Sequence, residues 1–163
     1  MFGTVIYGIV TAVVVFFFVR SLLIVIGVWK DPVLRAFEKY GDDETFFHPL
    51  PHMLGWTGAL SIVANYWLDA LSQSLLPLFF LGLVLLGLAY AAWRQPGLFG
   101  GHPGLMFNQP RWLADLIERT TRLERRRLAY MWLHLPPRLR LTYNGNDRAF
   151  REWADFVILS TLR

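Results

Sequence analysis

Apolar positions run almost unbroken through residues 2–29, interrupted only by Arg20 and by the mildly polar Thr4, Tyr7, Thr11 and Ser21. About 20 apolar residues suffice to cross a bilayer, so the pattern predicts a membrane-spanning helix within residues 1–30, with length to spare for tilt. No Lys or Arg precedes the stretch and no A-x-A site follows it, which reads as a retained anchor and not a cleaved signal peptide. Trp29-Lys30 then reads as an interfacial stop.

A second apolar region fills residues 53–93, with Asp69 as its one ionisable side chain. It is too long for a single crossing and suits a hairpin of 54–71 and 75–93, turning at Ser72-Gln73-Ser74 with Pro77 in the first turn of the last helix. The alternative is one crossing, 75–93, preceded by an interfacial helix carrying Trp56, Tyr66 and Trp67. Small residues, Gly55, Gly58, Ala59 and Ser61 on one arm and Gly82, Gly87 and Ala91 on the other, are suited to close helix packing in lipid.

Between these regions, residues 31–52 predict a short amphipathic helix and a loop. Asp31-Pro32 is a helix start, and Val33, Leu34, Phe37 and Tyr40 make a stripe at helical spacing. Gly41 and the acidic run Asp42-Asp43-Glu44 end it. The loop closes with FHPLPHM, where Pro49 and Pro51 are expected to break any helix joining His48 to His52.

Residues 94–163 form a basic tail. Across 110–135, Trp112, Leu113, Leu116, Ile117, Leu123, Leu128, Met131, Trp132 and Leu135 recur at intervals of three to five. Arg111, Arg119, Arg122, Arg125, Arg126 and Arg127 lie between them. A long basic amphipathic helix beside a bilayer is expected to lie in the interface, its arginines on anionic head groups and Trp112 and Trp132 on the apolar side. The same stripe also suits a partner subunit. Pro136-Pro137 ends this helix, RLRLTY alternates as a short strand would, and Asn144-Gly145 signals a turn. Asn146 or Asp147 then caps a last helix with Phe150, Trp153, Ala154, Val157, Ile158 and Thr161 on one face.

Charge placement bears on the number of crossings. The segment 30–52 carries Lys30, Arg35 and Lys39, and the tail carries 12 arginines against 6 acids. Three crossings put both on one side, so the positive-inside rule favours an N-terminus outside and a C-terminus on the cytoplasmic side. Two crossings would separate them. Under the three-span topology Arg20 lies about 7 Å from the middle of its helix and Asp69 about 10 Å beyond the centre of its own, at different depths. Arg20 is expected to snorkel or to meet a partner subunit, an anionic head group or a quinone-like carbonyl; Asp69 reads as a wetted interfacial carboxylate.

Composition agrees with lipid as part of the solvent. The 163 residues are 55% hydrophobic and 17% charged, where a soluble domain carries about 25% charged residues. With no cysteine, thiolate metal sites and disulfides are excluded. His48 and His52 are the candidates for holding a cofactor, as interfacial haem or metal ligands. His102 lies in the loop GLFGGHPG, which lacks the Lys-Ser/Thr of a phosphate loop.

The sequence thus predicts an all-α membrane protein of two or three transmembrane helices, with interfacial amphipathic helices in a basic C-terminal region. The functional expectation is a non-catalytic accessory or scaffold subunit of a larger membrane complex, for instance a respiratory or photosynthetic electron-transfer assembly. It would meet other membrane subunits and anionic lipids but not nucleic acid, with no cofactor of its own beyond a lipid, quinone or pigment held at an interface. A membrane-bound enzyme acting on lipid or isoprenoid substrates and a membrane-anchored adaptor are the alternatives.

Overall fold

A computed structural model of the chain describes residues 2–40, 49–70, 76–95 and 110–160. Among these residues there are eight helices and no strand: α1 (Phe2–Ile26), α2 (Asp31–Tyr40), α3 (Pro49–Ala70), α4 (Leu76–Arg94), α5 (Arg111–Arg119), α6 (Arg122–His134), α7 (Pro137–Gly145) and α8 (Asp147–Ser160). They divide into two compact units. One comprises residues 1–25 and 48–108, the other residues 26–47 and 109–163.

In the first unit, α1 and α4 are long and apolar enough to cross a membrane, and only 17% of each stretch is buried. The core helix of a soluble protein would be mostly covered, whereas here Val5, Ile9, Phe16, Phe80 and Val84 are all exposed. Helix α1 meets α3 through large side chains. Tyr7 stacks on Tyr66 with ring centroids 3.6 Å apart, Phe17 stacks on Trp56 at 4.7 Å, and the Trp67 indole N–H donates to Thr11 Oγ1 at 2.8 Å. Rising numbers in α1 pair with falling numbers in α3, so the two helices are antiparallel.

The α3–α4 contact is of the opposite kind, backbone against backbone. A Cβ on Gly58 would sit 2.7 Å from the Gly82 carbonyl oxygen, and one on Gly82 would sit 2.6 Å from Ile62 Cγ1. Only glycine allows that approach. The stripe on α4 is Gly82, Ala89 and Ala92. Gly87, expected in it, faces open space, because it lies off the arc that 82, 89 and 92 share. Pro49 and Pro51 do not break the helix as the sequence suggested. They form the first turn of α3, where the missing N–H groups would have no intrahelical partner anyway.

The second unit is built from two stretches of chain far apart in sequence. Helix α2 packs along α6, and Val33, Leu34 and Phe37 join Trp112, Leu113 and Leu116 of α5, Leu128, Ala129 and Trp132 of α6, and Phe150, Ala154 and Val157 of α8 in one core. The residues after Arg94 alone were marginal for a core; recruiting α2 supplies the missing layer. Gly27, at φ 91°, ends α1 in the left-handed conformation and lets the chain pass within van der Waals distance of Pro110 and Trp112. Tyr40, placed in the α2 stripe by its spacing, is instead 53% exposed.

Two expectations about the tail are corrected. The amphipathic stretch 110–135 is not one helix but α5 and α6, broken at Thr120-Thr121. There Thr121 Oγ1 accepts the Glu124 backbone N–H while the Glu124 carboxylate accepts the Thr121 N–H, a capping box that starts a new helix. The RLRLTY stretch is helical and not a strand. A lone strand leaves its backbone groups unpaired, whereas Pro137 at the first helical position starts a helix that satisfies them internally. Asn146 caps α8, its side-chain oxygen accepting the N–H groups of Arg148 and Ala149, each at 3.1 Å.

Candidate functional site

Helix α6 presents two faces. At 3.6 residues per turn, Leu128, Ala129 and Trp132 fall on one side and Leu123, Arg126, Arg127, Tyr130 and Met131 on the other. The first three are fully buried. The second group lines one shallow apolar hollow on the surface, with Leu123, Tyr130 and Met131 61%, 53% and 46% exposed. The six arginines of residues 111–127 therefore do not act together. Arg126 and Arg127 flank the hollow, and Arg119 and Arg122 are exposed at the α5–α6 junction.

Arg125 turns inward instead. Its guanidinium donates to the carbonyl oxygens of Thr120 and, at 3.3 Å, of Ile117, and it lies 5.8 Å from the Phe37 ring centroid. A cation there satisfies the orphan carbonyls at the C-terminus of α5. The Glu124 carboxyl is held below the ordinary carboxylate range by its hydrogen bonds to Thr121, backbone first and hydroxyl second, with Arg127 and Arg125 adding to the effect.

Trp112 and Trp132, expected to face lipid or a partner subunit, lie inside the unit at 3% and 0% exposure. Trp132 packs edge-on against Phe150 and Trp153, and Trp112 against Phe150. The indole N–H of Trp132 donates to Asp31 at 3.0 Å, and the Arg140 and Arg35 guanidiniums meet the same carboxylate at 3.3 and 3.0 Å. Breaking the tail into two helices is what allows both indoles to turn inward.

Lys30 is the residue the sequence reading placed least well. It is not an interfacial stop but a fully buried cation. Its ammonium donates to the Asn144 and Tyr143 carbonyl oxygens at 2.9 and 3.3 Å, pairs with Asp147 at 3.0 Å, and lies 5.3 and 5.7 Å from the ring centroids of Phe150 and Trp112. Its backbone N–H donates to Asn144 Oδ1 at 2.8 Å. Burial lowers its affinity for the proton, against the opposing pull of Asp147. This arrangement ties the segment after α1 to the α7–α8 junction; its chemistry is that of a clamp.

In the first unit, Arg20 lies within electrostatic reach of His52, in the opening turn of α3. Thr57 and Ser61 give their hydroxyls to carbonyls four residues back in their own helix. Asp69 is exposed near the other end of α3, so Arg20 and Asp69 do not pair. His48 and His102 lie outside the described residues. Among the described residues, no group of three or more His, Asp or Glu side chains is placed to hold a metal ion. No protein-family model matches the chain, and neither the curated proteins nor the solved structures contain a significant match to it.

Proposed function

We propose that the protein is a membrane-anchored, non-catalytic accessory or scaffold subunit that crosses the bilayer three times and presents its basic unit on the cytoplasmic side. The observation that carries the topology is the composition of that unit, whose core combines α2, which follows α1, with helices that follow α4. One compact body lies on one side of a membrane. If α4 crosses alone, the two parts of that core are separated by the bilayer; if α3 crosses with it, they meet. Parity therefore favours three crossings, independently of the distribution of arginines. The glycine-mediated α3–α4 contact is what a hairpin within lipid would use. The orientation, with the N-terminus outside, follows from the positive-inside rule.

The subunit role is supported by what the unit leaves uncovered. Leu141, Phe156 and Leu159 of α7 and α8 are 65–70% exposed. Large apolar side chains at that exposure, in a unit this small, suit burial against a neighbouring subunit. A respiratory or photosynthetic electron-transfer assembly, with a lipid, quinone or pigment at the interface, is one setting for such a subunit. Extraction of the native protein in mild detergent, followed by mass analysis of what travels with it, tests the role. Co-migration with a larger assembly is expected, and loss of it in a Phe156→Ser, Leu159→Ser variant. A lone monomer or homo-oligomer would contradict the subunit reading and favour an adaptor or a lipid-processing enzyme.

A further inference from the structure

We infer that the outward face of α6 is a docking face for anionic lipid. The inference rests on the membrane-anchored reading and assigns a part of the surface that the partner-facing helices do not use. Along α6, residues 123, 126, 127, 130 and 131 occupy an arc of roughly 140° opposite the buried side, with Tyr130 near its middle. The arc holds two arginines, an exposed leucine, a methionine, a tyrosine and His134, whose ring centroid lies 4.2 Å from that of Tyr130, and no acid. Glu124, the acidic residue of the helix, lies at its margin with its carboxylate engaged by Thr121.

Two features select lipid as the occupant. The first is charge complementarity. Arg126 and Arg127 meet phosphate through planar, multidentate guanidiniums, and each basic residue near an anionic surface strengthens association about fivefold. The second is tethering. The chain enters this unit directly from α1 and re-enters it after α4, so a bilayer that holds those helices is covalently tethered to the unit that carries α6. Leu123, Tyr130 and Met131 supply the shallow apolar insertion that such a helix needs, and the Tyr130 hydroxyl suits the head-group level. The lipid-contacting side chains are therefore not Trp112 and Trp132, which build the core, and not Arg125, which caps α5.

The cysteine-free chain makes the test direct. The full protein carrying Tyr130→Cys or, as a reference, Arg148→Cys is nitroxide-labelled and placed in nanodiscs of phosphatidylcholine with or without phosphatidylglycerol. Collisions with oxygen report lipid contact, and collisions with a nickel chelate report water. The label at position 130 is expected to become oxygen-accessible and nickel-protected when phosphatidylglycerol is present, while that at 148 stays aqueous. Replacing Arg126 and Arg127 by Gln is expected to lower the docked-to-undocked ratio about thirtyfold. A label at 130 that stays aqueous in anionic discs overturns the docking face while leaving the anchor intact, as does protection that survives the double substitution. A chain that fails to enter discs at all overturns both readings.

Discussion

Trp132 and Asp31, 101 positions apart in sequence, are joined by an indole N–H···carboxylate hydrogen bond of 3.0 Å inside the basic unit. The bond connects α6 to the first residue of α2, and Arg140 of α7 shares the acceptor. Asp31→Ala leaves a buried indole N–H without an acceptor, which costs about 1–3 kcal/mol. The expected outcome is a lower melting temperature for the full chain in detergent, followed by tryptophan fluorescence. Trp132→Phe removes the donor and shrinks the bicyclic indole to a single ring, opening a cavity, so it is expected to be at least as damaging. Combined with Asp31→Ala it should cost less than the sum of the two.

Lys30 predicts a pH dependence. Its folded-state pKa lies below the ordinary lysine value of 10.5 because burial penalises the ammonium more than Asp147 rewards it. Between the lowered value and 10.5 the unfolded chain holds a proton that the folded chain has released. Stability from this residue therefore rises with pH across that window and is flat below it. Lys30→Met abolishes the rise and leaves the Asn144 and Tyr143 carbonyl oxygens without their donor, at a cost of about 1–3 kcal/mol near neutral pH. Melting temperatures of the parent and variant from neutral pH to the lysine range check both statements. Parallel curves would contradict the assignment.

The α3–α4 hairpin predicts a cross-link. The Cβ positions of residues 55 and 89 lie 3.7 Å apart, within the range of a disulfide. Gly55→Cys with Ala89→Cys is expected to oxidise readily within one chain, with no native thiol to compete. Adding Gly58→Leu forces a side chain into the Gly82 backbone and should slow that oxidation sharply. An equal rate with and without Gly58→Leu would show that the two helices do not meet at Gly58 and Gly82.

The apolar helices were legible because their signal is local: length and hydropathy identify α1 and α4 without knowledge of any partner. Ends set by local chemistry were also readable, as with Asp31-Pro32 and the Asn146 cap. The split at Thr120-Thr121 was written in the sequence too, since Thr121 and Glu124 have capping-box spacing; the continuous arginine and leucine spacing around them obscured it. What sequence could not supply was long-range. Nothing local tells that Lys30 is buried among residues 112, 143, 144, 147 and 150, or that α2 completes the core of the tail. Without those partners Trp112 and Trp132 read as membrane-seeking, because an indole suits a bilayer interface and a protein core for the same reason. The lipid-facing candidates changed accordingly: of the three consecutive arginines, Arg125 turned inward while Arg126 and Arg127 stayed on the surface.

In the proposed topology the segment after α1 and the chain after α4 form one body on one side of the membrane. Two-sided labelling of single cysteines in sealed vesicles tests it most directly, using Lys39→Cys and Arg148→Cys in the basic unit and Thr4→Cys and Asp69→Cys at the other end of α1 and α3, all four positions being exposed. An impermeant maleimide is expected to reach residues 39 and 148 from the same side and residues 4 and 69 from the opposite one. Labelling of residue 69 from the same side as residue 39, or of residues 39 and 148 from opposite sides, would contradict the account.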